Sequence, residues 1–246
     1  MYILEGEGVT KYFGGLAAVD DVDFHVDEGE VVGLIGPNGA GKTTLFNLIS
    51  AALVPKPGVI KFKGKNITGM KPHKICRMGI SRTFQTVKIF ANMPVLQNVL
   101  AGSFFGTSPC MSSANATREA SESLEFVGLS DLAATPAGGL TLANQKRLEV
   151  ARALATQPEV LLLDEMMAGL THTEVTEAME LVKRIRDRGI TVVMIEHVMK
   201  AIMNVCDRII VLHHGQKIAE GTPQEIVNSK KVVEVYLGEE SDVAGK

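Results

Sequence analysis

The apolar run Val31-Val32-Gly33-Leu34-Ile35 leads directly into Gly36-Pro37-Asn38-Gly39-Ala40-Gly41-Lys42-Thr43-Thr44. This is the G-x-x-x-x-G-K-[ST] phosphate-loop (Walker A) pattern, set between an expected buried strand and an expected helix. It constrains the fold strongly, because a strand feeding a glycine-rich turn and then a helix opens a βαβ unit. Glycines let successive backbone N–H groups turn toward a polyphosphate, and the helix N-terminus adds the positive end of its dipole. Gly36, Asn38, Gly39, Ala40, Gly41, Lys42, Thr43 and Thr44 are therefore the expected nucleotide-binding residues. Lys42 would reach the β and γ phosphates, and the Thr43 hydroxyl would take a place on Mg²⁺. The motif in this context predicts a nucleoside-triphosphate binder.

Composition excludes some partners. The 25 basic and 28 acidic residues give a net charge of −3, so no basic excess marks a nucleic-acid footprint. Cys76, Cys110 and Cys206 are scattered without metal-ligand spacing, which fits thiols in a reducing compartment. His25, His73, His172, His213 and His214 add no such spacing. The N-terminus lacks the basic-then-apolar pattern of a secretory signal. No stretch approaches the roughly 18 apolar residues that cross a bilayer. The expectation is a cytoplasmic protein, with any membrane part supplied by another chain.

Along the chain, Val22, Phe24 and Val26 alternate with Asp21, Asp23 and His25 as in a half-buried strand. A helix is expected over Leu45–Leu53, and a short strand around Ile60 and Phe62. Another strand is expected over Ile80–Phe84. Val95–Ala101 reads as helix, Gly102–Thr117 as an irregular excursion, and Arg118–Val127 as helix again. Then come a helix from 142 to Thr156, strand Val160–Leu163, helix Thr173–Arg188, strand Ile190–Ile195, helix Val198–Val205 and strand Arg208–Leu212. His213 to Gln216 reads as a tight turn before a returning strand. Thr222-Pro223-Gln224-Glu225 starts a last helix, with polar residues after Gly238. Strand and helix alternation of this kind predicts an α/β protein with a parallel sheet, interrupted from about 86 to 150 by a mainly helical insertion.

Val160-Leu161-Leu162-Leu163 runs straight into Asp164 and Glu165. A buried strand ending this way carries both acids to the carboxyl edge of the sheet. There Asp164 would hold Mg²⁺, and Glu165 would act as general base on the attacking water. The competing reading is that both acids serve the N-terminus of the next helix. Gln85 follows the Ile80 strand and suits contact with Mg²⁺ or the lytic water. His197 follows the Ile190 strand and suits a hydrogen bond to the γ-phosphate. For each of these two a purely structural role stands as the alternative.

The ordered set of GPNGAGKTT, Gln85, a helical insertion, LTLANQKRLEVARAL, LLLDE and His197 resembles the ATPase subunit of an ATP-binding cassette transporter. The resemblance covers about residues 3 to 238. It implies a single domain over 1–238, with a polar tail at 239–246. That domain would be a P-loop NTPase parallel-sheet core with an N-terminal antiparallel β subdomain and an inserted helical subdomain. ATP and Mg²⁺ are the implied cofactors. Phe13, or Tyr12 beside it, corresponds to the aromatic that stacks on adenine. Leu140 to Gln145 matches the signature segment, where Thr141 would cap the γ-phosphate of the partner subunit's nucleotide. Here the chain departs: Leu142, Ala143 and Asn144 replace two glycines and a glutamine. Met166 stands where proline is usual after the acids, and Thr171 where aspartate is usual.

Residues Gly79 to Thr86, Phe90 to Val99, Ile195-Glu196-His197 and the ending with Gly221-Thr222-Pro223 and Val235-Tyr236-Leu237-Gly238 are similar to branched-chain amino-acid import ATPases of the LivG type. That likeness implies a second cassette ATPase as partner, identical or related, and two membrane permeases. It also implies a periplasmic binding protein upstream and a peripheral position on the cytoplasmic face of the inner membrane. Alternatives are amide, urea or aromatic-acid import, lipopolysaccharide export, or a regulatory cassette with little hydrolysis.

Overall fold

The computed structural model describes residues 2–107 and 112–243, the side chains of 237–243 excepted. The chain divides into two compact units, one from Met1–Lys71 with Thr191–Lys246 and one from Pro72–Ile190.

The first unit opens with strands β1 (Tyr2–Phe13), β2 (Leu16–Asp27) and β3 (Val31–Ile35), helix α1 (Lys42–Ile49), and strands β4 (Val59–Phe62) and β5 (Lys65–Asn66). Strands β2, β1, β4 and β5 form an antiparallel sheet in that order. Its inner face is the expected alternation: Val22, Phe24 and Val26 are buried, while Asp21 and Asp23 face solvent. Helix α1 is shorter than its apolar pattern. It ends at Ile49 with Ser50 as its C-cap, and Ala51 turns to a left-handed φ of 55°, which a helix cannot continue through.

In the second unit follow helix α2 (Pro72–Met78), strand β6 (Ile80–Arg82), helices α3 (Val95–Ser103), α4 (Ser113–Val127) and α5 (Leu142–Leu154), strand β7 (Val160–Asp164) and helix α6 (His172–Asp187). Strands β6 and β7 pair in parallel, and all five residues of β7 are buried. Two helices differ from the sequence reading here. Helix α2 was not anticipated, and α4 begins at Ser113 instead of Arg118. The Ser112 side chain caps α4 by accepting from the Asn115 N–H at 3.3 Å, so the excursion is shorter than Gly102–Thr117. Its middle, residues 108–111, lies outside the described residues.

The chain then returns to the first unit with β8 (Thr191–Ile195), α7 (Met199–Val205), β9 (Arg208–His213), β10 (Gln216–Gly221), α8 (Pro223–Val227) and α9 (Lys230–Val243). β3 lies between β8 and β9, parallel to both, and β10 is antiparallel to β9. Such strands are buried on both faces, which is why β3 and β8 read as continuous apolar runs and not as alternations. Thr222 and Glu225 close a capping box at the start of α8, as the sequence indicates. Helix α9 runs on to Val243, past the point where a polar tail is expected.

Gly33 sits in β3 because a Cβ there would lie 2.9 Å from the Cys206 sulfur. Burial pushes the Cys206 thiol up to about 12, with Asp207 and Glu196 adding to the shift. Only the thiolate reacts, so Cys206 stays unmodified when the folded protein meets iodoacetamide at pH 8. Peptide mapping that finds Cys206 alkylated before unfolding would contradict this burial.

Candidate nucleotide and hydrolysis sites

In the first unit the phosphate loop leaves the carboxyl end of β3. Gly36, Gly39 and Gly41 adopt φ of 147°, 79° and 102°. A Cβ at Gly36 would stand 2.1 Å from the Leu212 carbonyl oxygen, and one at Gly41 2.3 Å from that of Ala18. Glycine is therefore required there both by conformation and by close backbone approach. At Gly39 nothing lies within 4 Å, so that side of the loop is open. The turn after β9 secures the loop, with Gly215 N–H donating to Ala40 O at 3.0 Å. Lys42 is buried, and its Nζ donates to the carbonyls of Gly36 at 2.7 Å and Pro37 at 2.8 Å. Helix α1 begins at Lys42 with no side-chain cap and no acid in its first turn. Its first N–H groups thus keep their donor capacity for an anion. Thr43 is exposed and Thr44 half-buried. His197 is exposed just past β8, the strand beside β3, so it leaves the same edge as the phosphate loop. Tyr12 and Phe13 end β1, each 50% exposed, and Lys11 Nζ lies 5.7 Å from the Phe13 ring centre. Exposure alone does not separate the two aromatics.

In the second unit β7 ends on Asp164, which is 1% exposed. Its Oδ2 accepts from Arg82 Nη2 at 2.7 Å, while Oδ1 is buried without a hydrogen bond. The Asp164 N–H donates to Thr83 Oγ1 at 3.2 Å. Glu165 follows at a left-handed φ of 51°, and its Oε2 accepts from Gln85 Nε2 at 3.0 Å. Gln85 stands beyond β6, which is shorter than expected, although the Thr83 N–H still bonds to Leu162 O at 2.9 Å. The helix-capping alternative for the two acids fails. Helix α6 starts only at His172, and its capping box is made by Thr171 and Glu174.

Thr141 is the N-cap of α5, accepting from the Asn144 N–H at 3.3 Å, so the departures from the usual signature leave a capped helix. Leu142 is 45% exposed and packs on the loop after the acids, where a Cβ on Gly169 would lie 3.1 Å from it. Four contributors were not read from sequence: Arg82, Lys146, Glu149 and Asn98. Asn98 is fully buried, accepts from Phe90 N–H at 2.8 Å and donates to the carbonyls of Phe90, Met93 and Pro94. A polar amide inside the apolar VLQNVL stretch was the available signal. No group of His, Cys, Asp and Glu with metal-holding geometry exists among the described residues. No helix among them is long and apolar enough to cross a membrane.

A sequence profile for "ABC transporter" matches residues 19–168. The chain belongs to the ATP-binding cassette transporter family. A second profile, "Branched-chain amino acid ATP-binding cassette transporter", matches residues 216–242. The high-affinity branched-chain amino acid transport ATP-binding protein BraF of Pseudomonas aeruginosa is 41% identical, over 96% of this chain and 98% of its own. LivG of Escherichia coli K12, described in the same words, is 40% identical with the same coverage. Among solved structures, the ADP conformation of MJ1267, an ATP-binding cassette of an ABC transporter, superposes with a TM-score of 0.87. It is 36% identical and covers 97% of this chain and 99% of its own. The cassette fold expected from sequence is thereby established, and with it nucleotide binding and an ATPase activity coupled to transport.

Proposed function

We propose that this cassette ATPase is one of a pair powering import of branched-chain or closely related amino acids. It would work at the cytoplasmic face of the inner membrane, beneath two permeases fed by a periplasmic binding protein. The match of residues 216–242 and the likeness to BraF and LivG support that cargo. Exposed Phe84, Phe90, Phe104 and Phe105 in the second unit support a permease-docking role for it.

In the proposed chemistry Phe13 stacks on adenine, and the N–H groups of Gly36 to Thr44 with Lys42 hold the phosphates. His197 donates to the γ-phosphate, and Thr141 caps the partner subunit's nucleotide. Thr43, Gln85 and Asp164 offer the hard oxygens that suit Mg²⁺, and the unbonded buried Oδ1 of Asp164 fits that assignment. The ion neutralises phosphate charge when bound. Glu165 accepts the proton of the attacking water, oriented by Gln85. The observation that carries the hydrolytic reading is Glu165 at the end of a buried strand, held by Gln85 and free of any helix-capping duty. That pairing disfavours a purely regulatory cassette.

The test is uptake of leucine, isoleucine and valine into proteoliposomes holding this chain with its permeases and partner ATPase. ATP-dependent uptake is expected, and Lys42→Ala should abolish it. Undiminished uptake on Lys42→Ala would overturn the view that this chain's own site drives the cycle.

A further inference from the structure

We propose that Lys146 and Glu149, neighbours on one face of α5, are positioning residues for hydrolysis, because they hang the loops of Glu165 and Gln85 from a single helix. This rests on the reading of Glu165 and Gln85 given above.

Both side chains are buried, 7% and 3% exposed, where an uncompensated charge is costly. Each reaches backbone atoms of a neighbouring loop, and Glu149 also pairs with Arg152. Lys146 Nζ donates to Glu165 O at 2.8 Å and to Ala168 O at 2.7 Å. Glu165 O also accepts from the Ala168 N–H at 3.3 Å. Lys146 thus clamps both ends of the turn in which Glu165 holds its left-handed backbone, a conformation that a β-carbon disfavours. Glu149 Oε1 accepts from the Lys88 N–H at 2.7 Å and meets Arg152 at 3.4 Å. Burial pushes the Glu149 carboxyl up, opposed by the Lys88 N–H and by Arg152.

Gln85 lies between two anchors. Thr83 fixes the loop to β7, and Glu149 fixes it to α5 at Lys88. The Gln85–Glu165 hydrogen bond therefore joins two loops that share a frame. The same helix is N-capped by Thr141, in the segment that resembles the signature. A displacement of α5 carries both loops with it, so whatever the signature meets is felt at the chain's own catalytic pair. Packing alone would be served by apolar side chains of similar volume, with no buried acceptor at 149 and no buried donor at 146.

The test uses the assembled transporter. Glu149→Leu and Lys146→Met should each lower kcat at least about tenfold while ATP KM stays within about twofold, because misplaced loops lose transition-state contacts and not ground-state binding. Glu149→Gln keeps an acceptor oxygen at the same reach and should recover to within about threefold of wild type. Glu149→Asp keeps the charge but falls one methylene short; it should behave like Glu149→Leu, and serves if the latter does not fold. Hydrogen exchange should quicken about tenfold in residues 84–90 of the Glu149 variants and in 165–170 of Lys146→Met. Unchanged kcat with unchanged exchange would overturn the proposal, as would equal losses in Glu149→Gln and Glu149→Leu. If exchange and kcat shift as expected while Glu165→Gln hydrolyses normally, the positioning role stands and the general-base reading is what fails.

Discussion

Glu165→Gln should lower the rate of ATP hydrolysis about 10²–10⁴-fold, the range associated with removal of a general base. ATP binding should persist, and the paired cassettes should accumulate in an ATP-held dimer visible by light scattering. The substitution is clean in this setting. Glutamine has the shape of glutamate, so it can keep the φ of 51° at position 165. Its amide oxygen can still accept from Gln85 Nε2, which reaches Glu165 at 3.0 Å. The backbone clamp from Lys146 uses only the carbonyl and is indifferent to the side chain. What disappears is the basic, negatively charged oxygen, while the backbone clamp and the Gln85 contact can persist, so a fall in kcat with unchanged ATP binding reports the chemical step. Wild-type hydrolysis by this variant would show that the base lies elsewhere.

The difference between what the sequence discloses and what it hides follows the range of each interaction. The phosphate loop is legible because its requirements are local: left-handed turns at Gly39 and Gly41, then a helix without a side-chain cap. Strands β3, β7 and β8 are legible because burial on both faces removes polar residues. Helix α6 is legible from its periodicity, and its Thr171–Glu174 box takes helix capping away from Asp164 and Glu165 only once the helix start is known. Arg82, Lys146 and Glu149 were opaque for the opposite reason. Arg82 meets a carboxylate, and Lys146 and Glu149 meet backbone atoms, far along the chain, and a charged residue looks the same in sequence whether it meets water or a buried backbone group. The start of α4 was missed because Ser112 sits among small polar residues that suit a loop equally well.

Arg82 carries the second large effect. Its guanidinium is the hydrogen-bonding partner of the Asp164 carboxylate among the described residues, at 2.7 Å, with side chains 8% and 1% exposed. Removing one member of such a pair strands the other charge in a poorly solvated place, at a cost of about 3–5 kcal/mol. Arg82→Leu should therefore lower the melting temperature by roughly 10 °C for a chain of this size, given about 2–4 °C per kcal/mol. The stranded charge is the cause, so Arg82→Leu with Asp164→Asn should recover most of the loss. That double-mutant cycle separates an ionic cause from simple loss of Arg82 packing on Phe84, whose ring centre lies 5.3 Å from the guanidinium carbon. Additive losses across the cycle would assign the effect to packing. The pair also bears on function, because Arg82 holds Oδ2 and leaves Oδ1 buried and unbonded. An ion bound there would give the stranded carboxylate a new partner, so Mg²⁺ with ATP should raise the melting temperature of Arg82→Leu more than that of wild type. An equal rise in both proteins would mean that the Asp164 carboxylate is not where the ion binds.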